Sequence, residues 1–170
     1  SLDRRQRQMC IRDRNISAYA CDFIKVPMGT LISAIEDQYD YLPDTSSDEW
    51  GSETLKYNYD TYNFCDDDLL KNSYMNIFVK EKKLIGIEIE GIDVNKNINQ
   101  LLKFSEINFG LKDEQAKKEN WVGVVDLSTG GNSILYGKVM GLDGIYESIE
   151  ITTPAYGDFL IMSDVVEMNQ

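Results

Sequence analysis

Glu88 and Glu90 lie two residues apart in a run where Ile85, Ile87 and Ile89 alternate with Gly86, Glu88 and Glu90. On a strand, both glutamates project from the face opposite the isoleucines. With Glu147 or Glu150 brought alongside, such carboxylates could act as acid and base in glycoside hydrolysis. The same alternation is also what any half-exposed strand shows. Asp66, Asp67 and Asp68, with Asp60 nearby, offer oxygen ligands to calcium. The D-x-D-x-D-G spacing and closing glutamate of an EF-hand are absent, which points to a solvated acidic turn. Gly130-Gly131 and Gly141-x-x-Gly144 lack the G-x-G-x-x-G or G-K-[ST] form that opens a helix onto an anion, and read as hairpin turns. The chain has no histidine, which removes the Ser-His-Asp and Cys-His arrangements and the usual zinc ligand. No catalytic residue is assigned, and neither a metal nor a cofactor is expected.

The densest aromatic stretch is Trp50, Tyr57, Tyr59, Tyr62 and Phe64. Tyrosine and tryptophan give large contact area at low entropic cost and are enriched at binding surfaces. Trp50, Tyr57, Tyr59 and Tyr62 are therefore the candidate binding residues. Strand propensity and core packing account for the same residues, and both readings stand at this point.

These groups must be carried by regular elements. Met28, Leu31, Ile32 and Ile35 recur at i, i+3, i+4 and i+7, which predicts a helix with Pro27 in its first turn. Pro43 and the polar run from Asp44 to Glu49 end it. Leu55, Tyr57 and Tyr59 alternate with Lys56, Asn58 and Asp60 as one strand. Met75 to Val79 and Ile85 to Glu90 form a hairpin with one wet face, turning at Lys80 to Lys83. A second helix runs through Leu101, Leu102, Phe104, Ile107 and Leu111, and Asp113 caps a short further turn. Strands are then expected at Trp121 to Leu127, Ser133 to Val139 and Ile145 to Ile151, with a last apolar run from Phe159 to Met162. The fold class is α+β: two helix-plus-three-strand halves, as diverged repeats over 23–91 and 98–152, form a mainly antiparallel sheet with the helices on one face.

The segment from Arg4 to Arg14 coincides at all eleven positions with a transposase sequencing adapter translated in one frame. Residues 1–14 are thus read as adapter-derived, and 15–170 as a single domain. Setting the segment aside removes five arginines and two aspartates, which moves the net charge from −12 to −15. Such a chain repels phosphate backbones, so nucleic acid is not an expected partner. No run approaches the ~18 apolar residues needed for a transmembrane segment. Cys21 and Cys65 remain, and could form one disulfide or none. Cys21 closes Ile16-Ser17-Ala18-Tyr19-Ala20-Cys21, which is similar to a lipoprotein cleavage box. The favoured reading is an ordinary small apolar position.

The helix opening Val26-Pro27-Met28-Gly29-Thr30-Leu31-Ile32-Ser33-Ala34-Ile35, followed by a strand meander, resembles the tandem repeats of beta-lactamase-inhibitor-like proteins and of small outer-membrane assembly lipoproteins. The resemblance would cover most of Phe23 to Ile151. It implies a non-enzymatic, extracytoplasmic binding module with a protein partner. Two other functions remain open: a carboxylate-dependent hydrolase acting on carbohydrate or cell wall, and an acidic immunity or regulatory protein for a basic partner.

Overall fold

The alternating isoleucines settle into one antiparallel sheet. The computed structural model describes residues 21–39, 48–50, 54–61, 65, 67–91 and 99–155. Its strands are β1 (Asp48–Trp50), β2 (Thr54–Asp60), β3 (Ser73–Lys80), β4 (Lys83–Gly91), β5 (Gly123–Asp126), β6 (Ser133–Met140) and β7 (Ile145–Thr152), with helices α1 (Ile32–Tyr39) and α2 (Gln100–Phe109). The spatial order is β1-β2-β3-β4-β7-β6-β5, so β4 and β7 meet at the centre and β1 and β5 form the edges. Four strands precede α2 and three follow it, because Asp48–Trp50, whose first two residues were expected to end a polar run, pairs with β2 as an extra edge strand. Residues 1–14, Tyr62, Asp66 and the apolar run 159–162 lie outside the described residues.

Two apolar rungs fix the register. Met75, Ile89, Ile149 and Tyr136 are successive cross-strand partners, and so are Ile77, Ile87, Ile151 and Ile134. All eight are buried in one cluster with Ile35 of α1 and Leu101, Leu102 and Phe104 of α2, which puts both helices on the same face of the sheet. A one-residue slip would turn every rung residue to the opposite face, so the packing specifies the pairing. Each buried isoleucine contributes about 1.5–3 kcal/mol relative to exposure.

The opposite face departs from the wet surface expected of it. Asn76 is 0%, Phe78 2%, Glu88 7% and Glu150 8% exposed, so the sheet is covered at its centre on both sides. A bulge between Phe78 and Val79 inserts Ile85, whose carbonyl accepts a 2.7 Å hydrogen bond from the Thr152 hydroxyl. The β3–β4 turn uses Glu81 and Lys82 at φ 50° and 60°, the mirror-image turn geometry that matches strand twist.

Helix α1 starts four residues later than the Met28 stripe implies. Residues 29–32 run alongside the β3–β4 hairpin instead. The N–H of Gly29 donates to the Leu84 carbonyl, that of Leu84 to Thr30, and that of Ile32 to Lys82. Pro27 lies before the helix, where its carbonyl accepts from the Thr30 hydroxyl and amide. Ahead of it, a 3-10 turn over Asp22–Lys25 buries Phe23 and Ile24. Cys21 and Cys65 form a buried disulfide, with Cα atoms 4.3 Å apart, that ties this start to the segment after β2. A thiol in a disulfide is closed to acylation, which removes the lipid-anchor reading of Cys21.

Candidate functional site

Strand phase decides what each polar side chain meets. Lys138 falls in step with Ile134 and Tyr136 on β6, and Glu147 falls in step with Ile149 and Ile151 on β7. Both charges therefore enter the helix-covered face, where they are direct cross-strand partners. Lys138 is 4% and Glu147 5% exposed.

Every donor and acceptor of this pair has a structural use. Glu147 Oε1 accepts from the Tyr136 hydroxyl at 2.7 Å and from the Leu102 amide at 2.8 Å, and Oε2 accepts from the Leu101 amide at 3.3 Å. These amides belong to the first turn of α2, whose own N-cap, Asn99, makes no side-chain cap bond. The carboxylate thus caps α2 from a distant strand and meets the positive end of its dipole. Lys138 donates to Asn99 Oδ1 at 2.7 Å and to the carbonyls of Ala116 at 2.9 Å and Lys118 at 3.5 Å. Burial raises the Glu147 pKa, against lowering by Tyr136, the two amides and Lys138. Burial lowers that of Lys138 against the pull of Glu147. Tyr136 is held protonated by burial and by Glu147. The cluster locks α2 and the turn after Asp113 onto β6 and β7. Its signal in the sequence was a lysine and a glutamate in the apolar phase of successive strands.

The carboxylates first singled out divide between the two faces. Glu88 and Glu150 are direct partners across β4 and β7, and Glu90 pairs with Ser148 one rung away. Asn76 Nδ2 donates to Glu88 at 2.9 Å and to Glu90 at 3.1 Å. Glu147 lies on the opposite face. The burial of Glu88 and Glu150 leaves little surface for a polysaccharide to reach. In the acidic turn, Asp67 accepts from the Leu69 amide at 2.9 Å and Asp68 pairs with Lys71. Among the described residues no group of three or more acidic or cysteine side chains is placed to hold a metal ion. The two glycine motifs turn the β5–β6 and β6–β7 hairpins, as expected.

The aromatic candidates are not gathered by the backbone register. Tyr57 and Tyr59 stand at the positions paired with Ile77 and Met75, at the ends of the two core rungs. Trp50 pairs with Thr54, which pairs with Lys80, and so has the opposite phase. Tyr62 lies outside the described residues.

A different surface carries exposed apolar side chains. Val122 is 46%, Val124 65%, Val139 41% and Met140 62% exposed, and Leu142 is fully exposed. Gly123 pairs with Lys138, and Met140 with Ile145, so these five lie at one end of the sheet, on edge strand β5 and the β6–β7 hairpin tip. They dominate the large exposed apolar residues among those described. Missing them in the sequence was a matter of position: nothing in W-V-G-V-V-D-L says that this strand is an edge. No protein family, characterised protein or solved structure matches the chain. No described helix is long and apolar enough to cross a membrane.

Proposed function

We propose that this domain is a non-enzymatic protein-binding module whose docking surface is the open end of the sheet formed by β5 and the β6–β7 hairpin. The observation that carries the reading is the gathering of Val122, Val124, Val139, Met140 and Leu142 there. Val122, Val124 and Val139 share the phase that faces away from the helices and Met140 has the other, so the exposed apolar groups gather at this end of the sheet from both faces. Such groups mark interaction sites, because their burial on binding is favourable. The disulfide between Cys21 and Cys65 favours an oxidising, extracytoplasmic setting.

Selection from a phage-displayed random-peptide library against the whole chain tests this reading. The expected result is a set of peptides that lose about tenfold or more in affinity for Leu142→Asp or Val124→Asp, as central interface residues do. Lys103→Asp, an exposed change on α2, should leave binding unaltered. Peptides indifferent to residues 124 and 142, or no enrichment at all, would overturn it.

A further inference from the structure

Taken with its flanks, the segment around β5 reads in sequence as an interior strand. Trp121, Val122, Val124, Val125 and Leu127 are apolar on both phases, a pattern of strands buried on two faces. Yet among the described residues β5 is the last strand of the sheet. It has no proline, no lysine and no bulge, and its edge protection is limited to its length of four residues and the charge of Asp126. Trp121, Val125 and Leu127 pack against the core but stay partly open, so the core ends there uncovered. Gly123 allows this arrangement, because a Cβ there would come within 2.7 Å of the Trp121 ring.

The ladder also defines which backbone groups face outward. The N–H of Leu127 donates to the Ile134 carbonyl at 2.8 Å. By antiparallel alternation, the backbone groups of Val125 point inward with those of Leu127, whereas those of Val124 and Asp126 point away from β6. The side chains of Val124 and Asp126 share the face away from the helices. Asp126 accepts from the amide of Ser128 at 2.9 Å and from its hydroxyl, bonds that hold its carboxyl below the usual carboxylate range. On the flanking segments Asp143 and Glu119 are exposed, as are Lys117 and Lys118, which pair with Glu114 and Gln115. The whole chain carries a net charge of −12, which opposes a second copy at this edge.

We infer that β5 receives an extended segment of another polypeptide as an eighth, antiparallel strand, in which apolar residues alternate with cationic ones. The apolar residues of the incoming strand cover Trp121, Val125 and Leu127. Its cationic residues lie on the other face, beside Asp126, with their aliphatic stems along Val124. Main-chain hydrogen bonds to Val124 and Asp126 give affinity, and the alternation gives specificity. This inference rests on the binding-module reading and names the partner class of the same surface.

The test uses the whole chain and two acetylated, amidated octapeptides, (Lys-Val)4 and (Glu-Val)4, with amide hydrogen exchange read residue by residue. At about ten times its Kd, (Lys-Val)4 should slow exchange at Val124 and Asp126 about tenfold. The inward amides of Val125 and Leu127, already bonded, serve as the internal reference. Val124→Pro removes one outward N–H that points away from β6 and bonds to no described strand, so the fold should persist while the protection is lost. Equal protection by (Glu-Val)4 would overturn the charge assignment. Absence of protection at millimolar (Lys-Val)4 would overturn strand addition. Protection that grows with protein concentration alone would give the edge to a second copy and also overturn the proposal. Library peptides that depend on Leu142 but leave the Val124 and Asp126 amides unprotected would sink strand addition while sparing the binding-module reading.

Discussion

Replacing Glu147 by alanine should be among the most damaging single changes in the domain. The substitution leaves four groups without their acceptor or counter-charge: the amides of Leu101 and Leu102, the Tyr136 hydroxyl and the Lys138 ammonium. All lie on the helix-covered face, where water cannot replace the carboxylate. Removing one partner of a buried pair costs about 3–5 kcal/mol. That is a large share of the ~5–15 kcal/mol that stabilises a typical domain. Glu147→Gln keeps the shape and one acceptor oxygen, so it should cost about 1–2 kcal/mol. Urea unfolding followed by far-ultraviolet circular dichroism measures both. The pH dependence gives an independent readout. Burial raises the folded-state pKa of Glu147, so between the unfolded value and the folded one the native state holds the extra proton. The contribution of this group to stability is therefore greatest below about pH 4.3 and declines as pH rises through the folded pKa. Glu147→Gln should remove that decline. A loss below about 1 kcal/mol for Glu147→Ala, with an unchanged pH profile, would refute the assignment of Glu147 as the cap of α2.

Two further outcomes follow from the fold. The Cys21–Cys65 disulfide spans a sequence separation of 44. A loop of that length gives about 4 kcal/mol of chain-entropy stabilisation, so Cys21→Ala with Cys65→Ala should lower the urea midpoint accordingly. An unchanged midpoint would show that the bond does not stabilise the native state. At the β3–β4 turn, Glu81→Asn with Lys82→Gly replaces two residues held at positive φ by the pair that this turn favours, and thermal unfolding should show a gain of about 1 kcal/mol.

Strands β2, β3, β4 and β7 were legible in the sequence because each carries a period-two run long enough to declare its phase. Ile85, Ile87 and Ile89 in β4, and Ile149 and Ile151 in β7, are enough to place the core face. The start of α1 was not legible, because the stripe through Met28 and Leu31 also suits a segment bonded to the β3–β4 hairpin, and only Leu84 and Lys82 decide between them. Strand β1 was hidden because Asp48 and Glu49 carry no apolar period of their own. Which face is wet could not be read from Glu88 and Glu90, since alternation reports phase and not what covers the second face. The docking surface proposed above differs from the aromatic candidates for a related reason. Tyrosine content drew attention to β2, whose Tyr57 and Tyr59 positions extend the core rungs. The exposed apolar set depends on β5 being last in the sheet, a property of strand order rather than of local sequence.

Calorimetric titration of library-selected peptides into the wild-type chain and into a Val124→Asp, Leu142→Asp double variant tests the proposed docking surface most directly. The wild type should bind with a negative heat-capacity change, the mark of apolar burial, and the double variant should bind at least about tenfold more weakly while unfolding at a similar urea midpoint. Equal affinity of both proteins for the same peptides would contradict the account.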